Sequence, residues 1–96
     1  MTEGCREIVF RSSAVVQAAK AQRWYEMQRG GLGAEFALHL EAATQRAARH
    51  PEHCPIVHQQ VRRVFLKRFP YTLFFLADEQ KLVVLSCLHT RQEPKD

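Results

Sequence analysis

The run Val61-Arg62-Arg63-Val64-Phe65-Leu66-Lys67-Arg68-Phe69, halted by Pro70 and resumed as Tyr71-Thr72-Leu73-Phe74-Phe75-Leu76, decides the fold of this chain. β-Branched and aromatic residues crowd both segments, which is the composition of strands. Proline cannot donate to a sheet ladder, so Pro70 marks the bend between them. A third run of the same character, Leu82 to His89, follows the polar stretch Ala77-Asp78-Glu79-Gln80-Lys81. Connections this short join antiparallel neighbours, and the second half of the chain reads as a meander.

Moving outward toward the N-terminus, the loop from Pro51 to Gln60 holds two prolines. Before it, Leu32, Phe36, Leu40, Ala43 and Ala47 recur on one helical stripe that ends near His50-Pro51, because the residue before a proline is disfavoured in helical geometry. Arg29-Gly30-Gly31-Leu32-Gly33 separates this helix from an earlier one, in which Ala14, Ala18, Ala21 and Tyr25 fall at i, i+4, i+7 and i+11, opposite Lys20, Arg23 and Glu26. A short glycine-bearing loop between two helices implies an αα-hairpin. Ser12-Ser13 supply hydroxyls suited to capping the first helix, and Ile8-Val9-Phe10, within Glu7 to Phe10, reads as a short first strand. The expected class is α+β: an N-terminal short strand and an αα-hairpin packed on an antiparallel sheet, as a single domain over residues 1–96.

With 96 residues, 46% of them hydrophobic and 25% charged, the chain has material for one core and no more. Its net charge of +4 points to a negatively charged partner. No run approaches the roughly 18 apolar residues of a membrane span, and Met1 to Arg6 lack the apolar segment of a secretion signal, so a cytoplasmic protein is expected. Cys5, Cys54 and Cys87 form an odd set without a C-x-x-C pair, which argues for reduced thiols.

Four groups of residues could carry chemistry. Arg62, Arg63, Lys67 and Arg68, interleaved with Phe65 and Phe69 and followed by Tyr71, are expected to lie on a half-open sheet face. There they suit nucleic-acid phosphates and bases, an acidic partner segment, or a strand edge kept charged against aggregation. His89, two residues before Arg91, could exchange a proton beside a cation that holds phosphate, or be a hydrogen-bonded residue of a strand end. His50, His53, Cys54 and His58 are ligand types at none of the familiar zinc spacings, and no metal or other cofactor is expected. Trp24 and Tyr25 close the first helix, Tyr25 on its apolar stripe and Trp24 at the margin, where it could line a partner groove. P-loop, dinucleotide-fingerprint and nucleophile-elbow motifs are missing.

Taken in order, Trp24-Tyr25 before Gly31-Leu32-Gly33, the helix Phe36 to Ala48, His50-Pro51 to Val57, Val61-Arg62-Arg63, Phe69-Pro70-Tyr71, Val83-Val84-Leu85, Leu88-His89 and Arg91 resemble the ParE/RelE superfamily of bacterial type II toxins, also called plasmid stabilisation proteins. The resemblance spans nearly the whole chain and is closer on the ParE-like side. It implies two helices against an antiparallel sheet and a cognate antitoxin whose acidic, amphipathic C-terminal segment wraps the toxin. The candidate contacts for the antitoxin or the target are Trp24, Arg62, Arg63, Lys67, Arg68, Phe69 and Tyr71. ParE-like relatives poison DNA gyrase. RelE-like relatives cleave mRNA on the ribosome, for which Arg62, Arg63, Lys67, His89 and Arg91 would be the catalytic set here. Thr72 stands where related toxins frequently carry an arginine that in the nuclease branch can act on the phosphate, which weakens the nuclease reading and ranks gyrase inhibition without catalysis first; the alternatives are the endonuclease and a degenerate, non-toxic antitoxin-binding module. Gly30 stands where many relatives have proline, a change that loosens the helical hairpin without altering function.

Overall fold

A computed structural model describes residues 6–92, and Cys5 lies outside them. The order is β1 (Glu7–Phe10), α1 (Ser12–Gln28), α2 (Leu32–Arg49), a 3₁₀ turn (Pro51–His53), β2 (Ile56–His58), β3 (Val61–Phe65), β4 (Tyr71–Ala77), β5 (Lys81–His89) and a final 3₁₀ turn (Thr90–Gln92). The five strands form one sheet in the order β1-β5-β4-β3-β2. Neighbours from β2 to β5 run antiparallel, while β1 lies parallel to β5 at the edge. The α+β reading holds, with the two helices layered on one sheet face.

The small residues of the α1 stripe explain the closeness of that layer. Ala14, Ala18 and Ala21 are buried against α2 and the sheet, as are Phe36, Ala43 and Ala47 of α2. Opposite them stand Leu73 and Phe75 of β4 and Leu82, Val84 and Cys87 of β5, all nearly inaccessible.

Local details depart from the sequence reading in four places. The serines do not cap α1: the cap position is Arg11, without a side-chain bond, and Ser13 Oγ instead donates to the Leu85 carbonyl at 3.1 Å. The first long strand ends at Phe65 rather than Phe69, because Leu66 turns into the core and Arg68 adopts a left-handed backbone with φ 70°. That turn closes where the Leu66 N–H donates to the Tyr71 carbonyl at 3.0 Å. Within the proline loop, Ile56–His58 pairs with β3 as an extra edge strand, too short and too polar-flanked to show a period of two. The parallel edge pairing of β1 was likewise not specified by so short an apolar run.

Between the helices, Gly31 has φ 93°, a conformation natural to glycine at the start of α2. Gly33 permits direct backbone approach: a Cβ there would lie 2.9 Å from the Gln22 carbonyl oxygen and 3.1 Å from Glu26 Cβ. Glu26 of α1 fills the place of an N-cap for α2, its carboxylate accepting from the Gly31 N–H at 3.1 Å and the Gly33 N–H at 2.9 Å. Those two bonds hold the Glu26 carboxyl below the usual value of 4.5.

Two outcomes follow for the hairpin. Gly33→Ala forces α1 and α2 apart and costs about 1–3 kcal/mol in denaturant titration. Because the folded-state pKa of Glu26 is depressed, its contribution is complete above the unfolded pKa and is lost as pH falls through the folded one. Unfolding midpoints measured below pH 4.5 should therefore fall less steeply for Glu26→Gln than for the wild type.

Candidate functional site

One end of the sheet is built around aromatic rings. Tyr25 of α1 stacks on Phe36 of α2 with centroids 5.4 Å apart, and meets Phe69 of the β3–β4 turn edge-on at 4.9 Å. Phe36 in turn packs against Phe69 and Tyr71, each at 5.3 Å. The His89 ring completes the series against Tyr71, also at 5.3 Å. Tyr71 and His89 are opposite partners in the β4–β5 ladder.

Above these rings, a groove of about 780 Å³ runs between α1 and the end of β5. Gln17, Lys20, Trp24 and Tyr25 form one wall, and Pro70, Tyr71, Cys87 and His89 form the other. Its existence depends on where β1 stops. The parallel ladder ends at Phe10 opposite Val84, so the remainder of β5 has α1 rather than a strand on that side. Side chains of α1 satisfy the exposed edge: besides Ser13 on Leu85, the Gln17 Oε1 accepts from the Cys87 N–H at 2.8 Å.

The face occupied by His89 follows from a register shift. Phe75 pairs with Val84 but Phe74 pairs with Ser86, so Leu85 is an extra residue in β5. Strict alternation through Leu85 would place position 89 on the face opposite Val84; because Leu85 is left out of the ladder, Cys87 and His89 join Leu82 and Val84 on the helix side. At the strand end, the His89 Nδ1 accepts from the Arg91 N–H at 3.1 Å. A neutral imidazole in that arrangement carries its proton on Nε2.

The basic residues do not share one face, which corrects the expectation from sequence. Arg62 and Arg63 are consecutive in a strand and point oppositely. Arg62 lies on the helix side, its guanidinium donating to the Cys54 carbonyl at 2.7 Å. Arg63 lies on the open face, where its guanidinium stands 5.0 Å from the Phe65 ring centroid. Lys67 and Arg68 are exposed on the turn beyond β3, and Arg91 is exposed after β5. The Thr90 N–H donates to the Pro70 carbonyl at 2.8 Å, drawing that last segment to the same end of the sheet.

In register, Arg63 opposes Phe74 while His89 opposes Tyr71. The two are separated by two inter-strand spacings and three residues of rise, about 10 Å in each direction, and by the thickness of the sheet. Arg62 and Arg63 thus do not converge on His89. The groove's cation is Lys20, which sequence reading put on the polar side of α1; its place one helical turn before Trp24 is the signal that they share a face. Burial raises the Tyr25 and Tyr71 phenols above their usual value of 10.0, and pushes the Cys87 thiol up to about 12. None of the three is a base near neutrality.

Of the proposed contact residues, Trp24 is 57% exposed and Phe69 only 8%. Phe69 is therefore a core residue that supports the surface rather than forming it, and Tyr71 is half-buried beside it. The open face, meanwhile, presents Val9, Phe65, Phe74, Leu76, Val83 and Leu88, with Thr72 buried between its ladder partners Phe65 and Leu88. In equilibrium unfolding, Phe69→Ala should cost about 3–5 kcal/mol. Trp24→Ala should cost less, about 0.5–1.5 kcal/mol, the scale of its edge-on contact with the Tyr25 ring at 5.1 Å.

Comparison with known proteins bears on both fold and family. No curated protein sequence matches the chain significantly. A solved structure described as a chromosomal ParDE TA system from P. aeruginosa superposes with a TM-score of 0.75 at 12% identity, covering 91% of this chain and 98% of that one, a likeness of fold. The family model for the ParE toxin of the type II toxin–antitoxin system parDE matches residues 8–94. By that match over nearly its full length, the chain belongs to the ParE toxin family.

Proposed function

We propose that this protein acts in the cytoplasm as a growth-inhibiting toxin that poisons DNA gyrase by binding, and that its cognate antitoxin neutralises it. The observation carrying this reading is the separation of the strand arginines, Arg62 and Arg63, from His89. Cleavage of a phosphodiester needs a base, an acid and positive charge gathered around one phosphate. Here His89 has Lys20 across the groove, Arg62 is committed to the Cys54 carbonyl, and Arg63 is on the other side of the sheet. Thr72 offers no guanidinium from β4 either. An arrangement of this kind suits adhesion to a partner better than catalysis of RNA cleavage.

Neutralisation has two surfaces to use. The first is the groove beside Trp24 and Lys20, and the second is the apolar open sheet face bearing Arg63, with Lys67, Arg68 and Arg91 at the sheet end. An acidic amphipathic segment would cover the apolar residues and offset the net charge of +4. The same surfaces are the candidates for contact with gyrase, so occupation by antitoxin would exclude the target.

Controlled expression without antitoxin, followed by pulse labelling, tests the target. DNA synthesis should fail first; immediate loss of translation with fragmented mRNA would instead establish the endonuclease, and undisturbed growth would mark a non-toxic binding module. The nuclease reading further requires His89→Ala and Arg63→Ala each to restore growth while antitoxin binding persists. For the antitoxin, Trp24→Ala should weaken binding by about 2 kcal/mol in calorimetry, the scale of an aromatic hot spot.

A further inference from the structure

We propose that His50, Glu52 and His53 form a surface site for a divalent transition-metal ion, with Zn²⁺ the ion that best suits their donors. The site grows from the way α2 ends. Pro51, which is buried, starts a 3₁₀ turn immediately after the helix. Such a turn completes a revolution in three residues, so side chains at i and i+3 eclipse. The turn is closed by the His53 N–H donating to the His50 carbonyl at 3.0 Å and the Cys54 N–H donating to the Pro51 carbonyl at 2.9 Å. His50 and His53 consequently stand one above the other, with ring centroids 4.7 Å apart and planes 19° from parallel.

Glu52 supplies the third donor. Its Oε2 lies 3.2 Å from His50 Nδ1 and 3.9 Å from His53 Nε2, and one ligand atom from each of the three residues falls within 4.8 Å of the others. Zinc bonds of about 2.0–2.2 Å place tetrahedral donors about 3.4 Å apart, and because imidazole lone pairs lie in the ring plane, one of the two exposed rings must turn out of the stack for both to meet an ion. Two imidazoles and one carboxylate form a recognised zinc donor set with a fourth position for water. Calcium and magnesium favour oxygen alone. The end of α2 adds the partial negative charge of a helix C-terminus, which favours a cation. Of the nearby arginines, Arg46 is directed away, its guanidinium donating to the Phe65 carbonyl at 2.7 Å, while Arg49 is exposed on the last turn of α2.

The set differs from the one that sequence spacing brought together. Among the described residues, the ligand cluster excludes Cys54 and His58. Cys54 contributes its carbonyl to Arg62 and has its thiol raised chiefly by burial, and His58 belongs to β2. A bound ion would hold the turn that presents the Cys54 carbonyl, and so steady the anchorage of Arg62 in β3.

Calorimetric titration of the full chain with Zn²⁺ at neutral pH, paired with NMR of the imidazole protons, tests the site. One saturable site should appear, with resonances of His50 and His53 shifting and those of His39, His58 and His89 unchanged. His53→Ala and Glu52→Gln should each weaken binding more than about tenfold, the least that loss of even a supporting group costs at a metal site. His58→Ala should bind as the wild type does. Zinc should also raise the thermal midpoint of the wild type but not of His53→Ala. Absence of saturable binding, undiminished affinity in His53→Ala, or shifts confined to other histidines would overturn the proposal.

Discussion

The aromatic contact of Tyr25 with Phe36, Phe69 and Tyr71 is the constraint on which the rest depends. Four separate segments meet there: both helices, the turn after β3 and the first residue of β4. Each aromatic pair contributes about 0.5–1.5 kcal/mol beyond its area of burial, and the rings fix relative orientation as well. Without this cluster, the buried apolar residues of α1 would be alanines alone, which bury little area. The cluster also turns Trp24, the residue beside Tyr25, toward solvent at the groove wall. Core packing and surface presentation are two consequences of one adjacent pair in the sequence.

Polar detail then completes what ring packing begins. Glu26 anchors the start of α2 from α1, and Ser13 and Gln17 of the same helix close the edge of β5 where β1 ends. Helix α1 thus has three duties, on its α2 side, its sheet side and its groove side. Its exposed Val15, Val16, Trp24 and Met27 leave an apolar component on the solvent side as well. Such a helix is poorly amphipathic by ordinary standards because several faces are in use.

The layer arrangement was legible because its signals are periodic. Ala14, Ala18, Ala21 and Tyr25 on α1, and Phe36, Ala43 and Ala47 on α2, emerge from a helical repeat and lie in the interior. The strands β4 and β5 were read from runs that needed no side-chain alternation to be seen. Three features were hidden for physical reasons. Arg68 has a left-handed backbone although it is not glycine, so nothing in its residue type ended β3 early. The extra residue Leu85 continues the apolar run Leu82-Val83-Val84, so the change of phase within β5 left no mark. Of the site residues, Trp24 and His89 were singled out and are brought to one groove, whereas Arg62 and Arg63 were grouped by type when the strand pleat separates them. Lys20 was missed because a cation opposite an apolar stripe reads as solvated.

The added residue at Leu85 makes β5 a strand of two phases. Its first part keeps time with β1 and β4 together, and its second part keeps time with β4 alone. The added residue keeps Cys87 and His89 under α1 and leaves Ser86 and Leu88 on the open face; were Leu85 drawn into the regular ladder, the two sets would change places, without changing any residue's identity. The chemical character of both surfaces is therefore set by one unpaired position, which absorbs the odd residue in the count between Val84 and Cys87 so that the apolar and polar sets stay in phase across it.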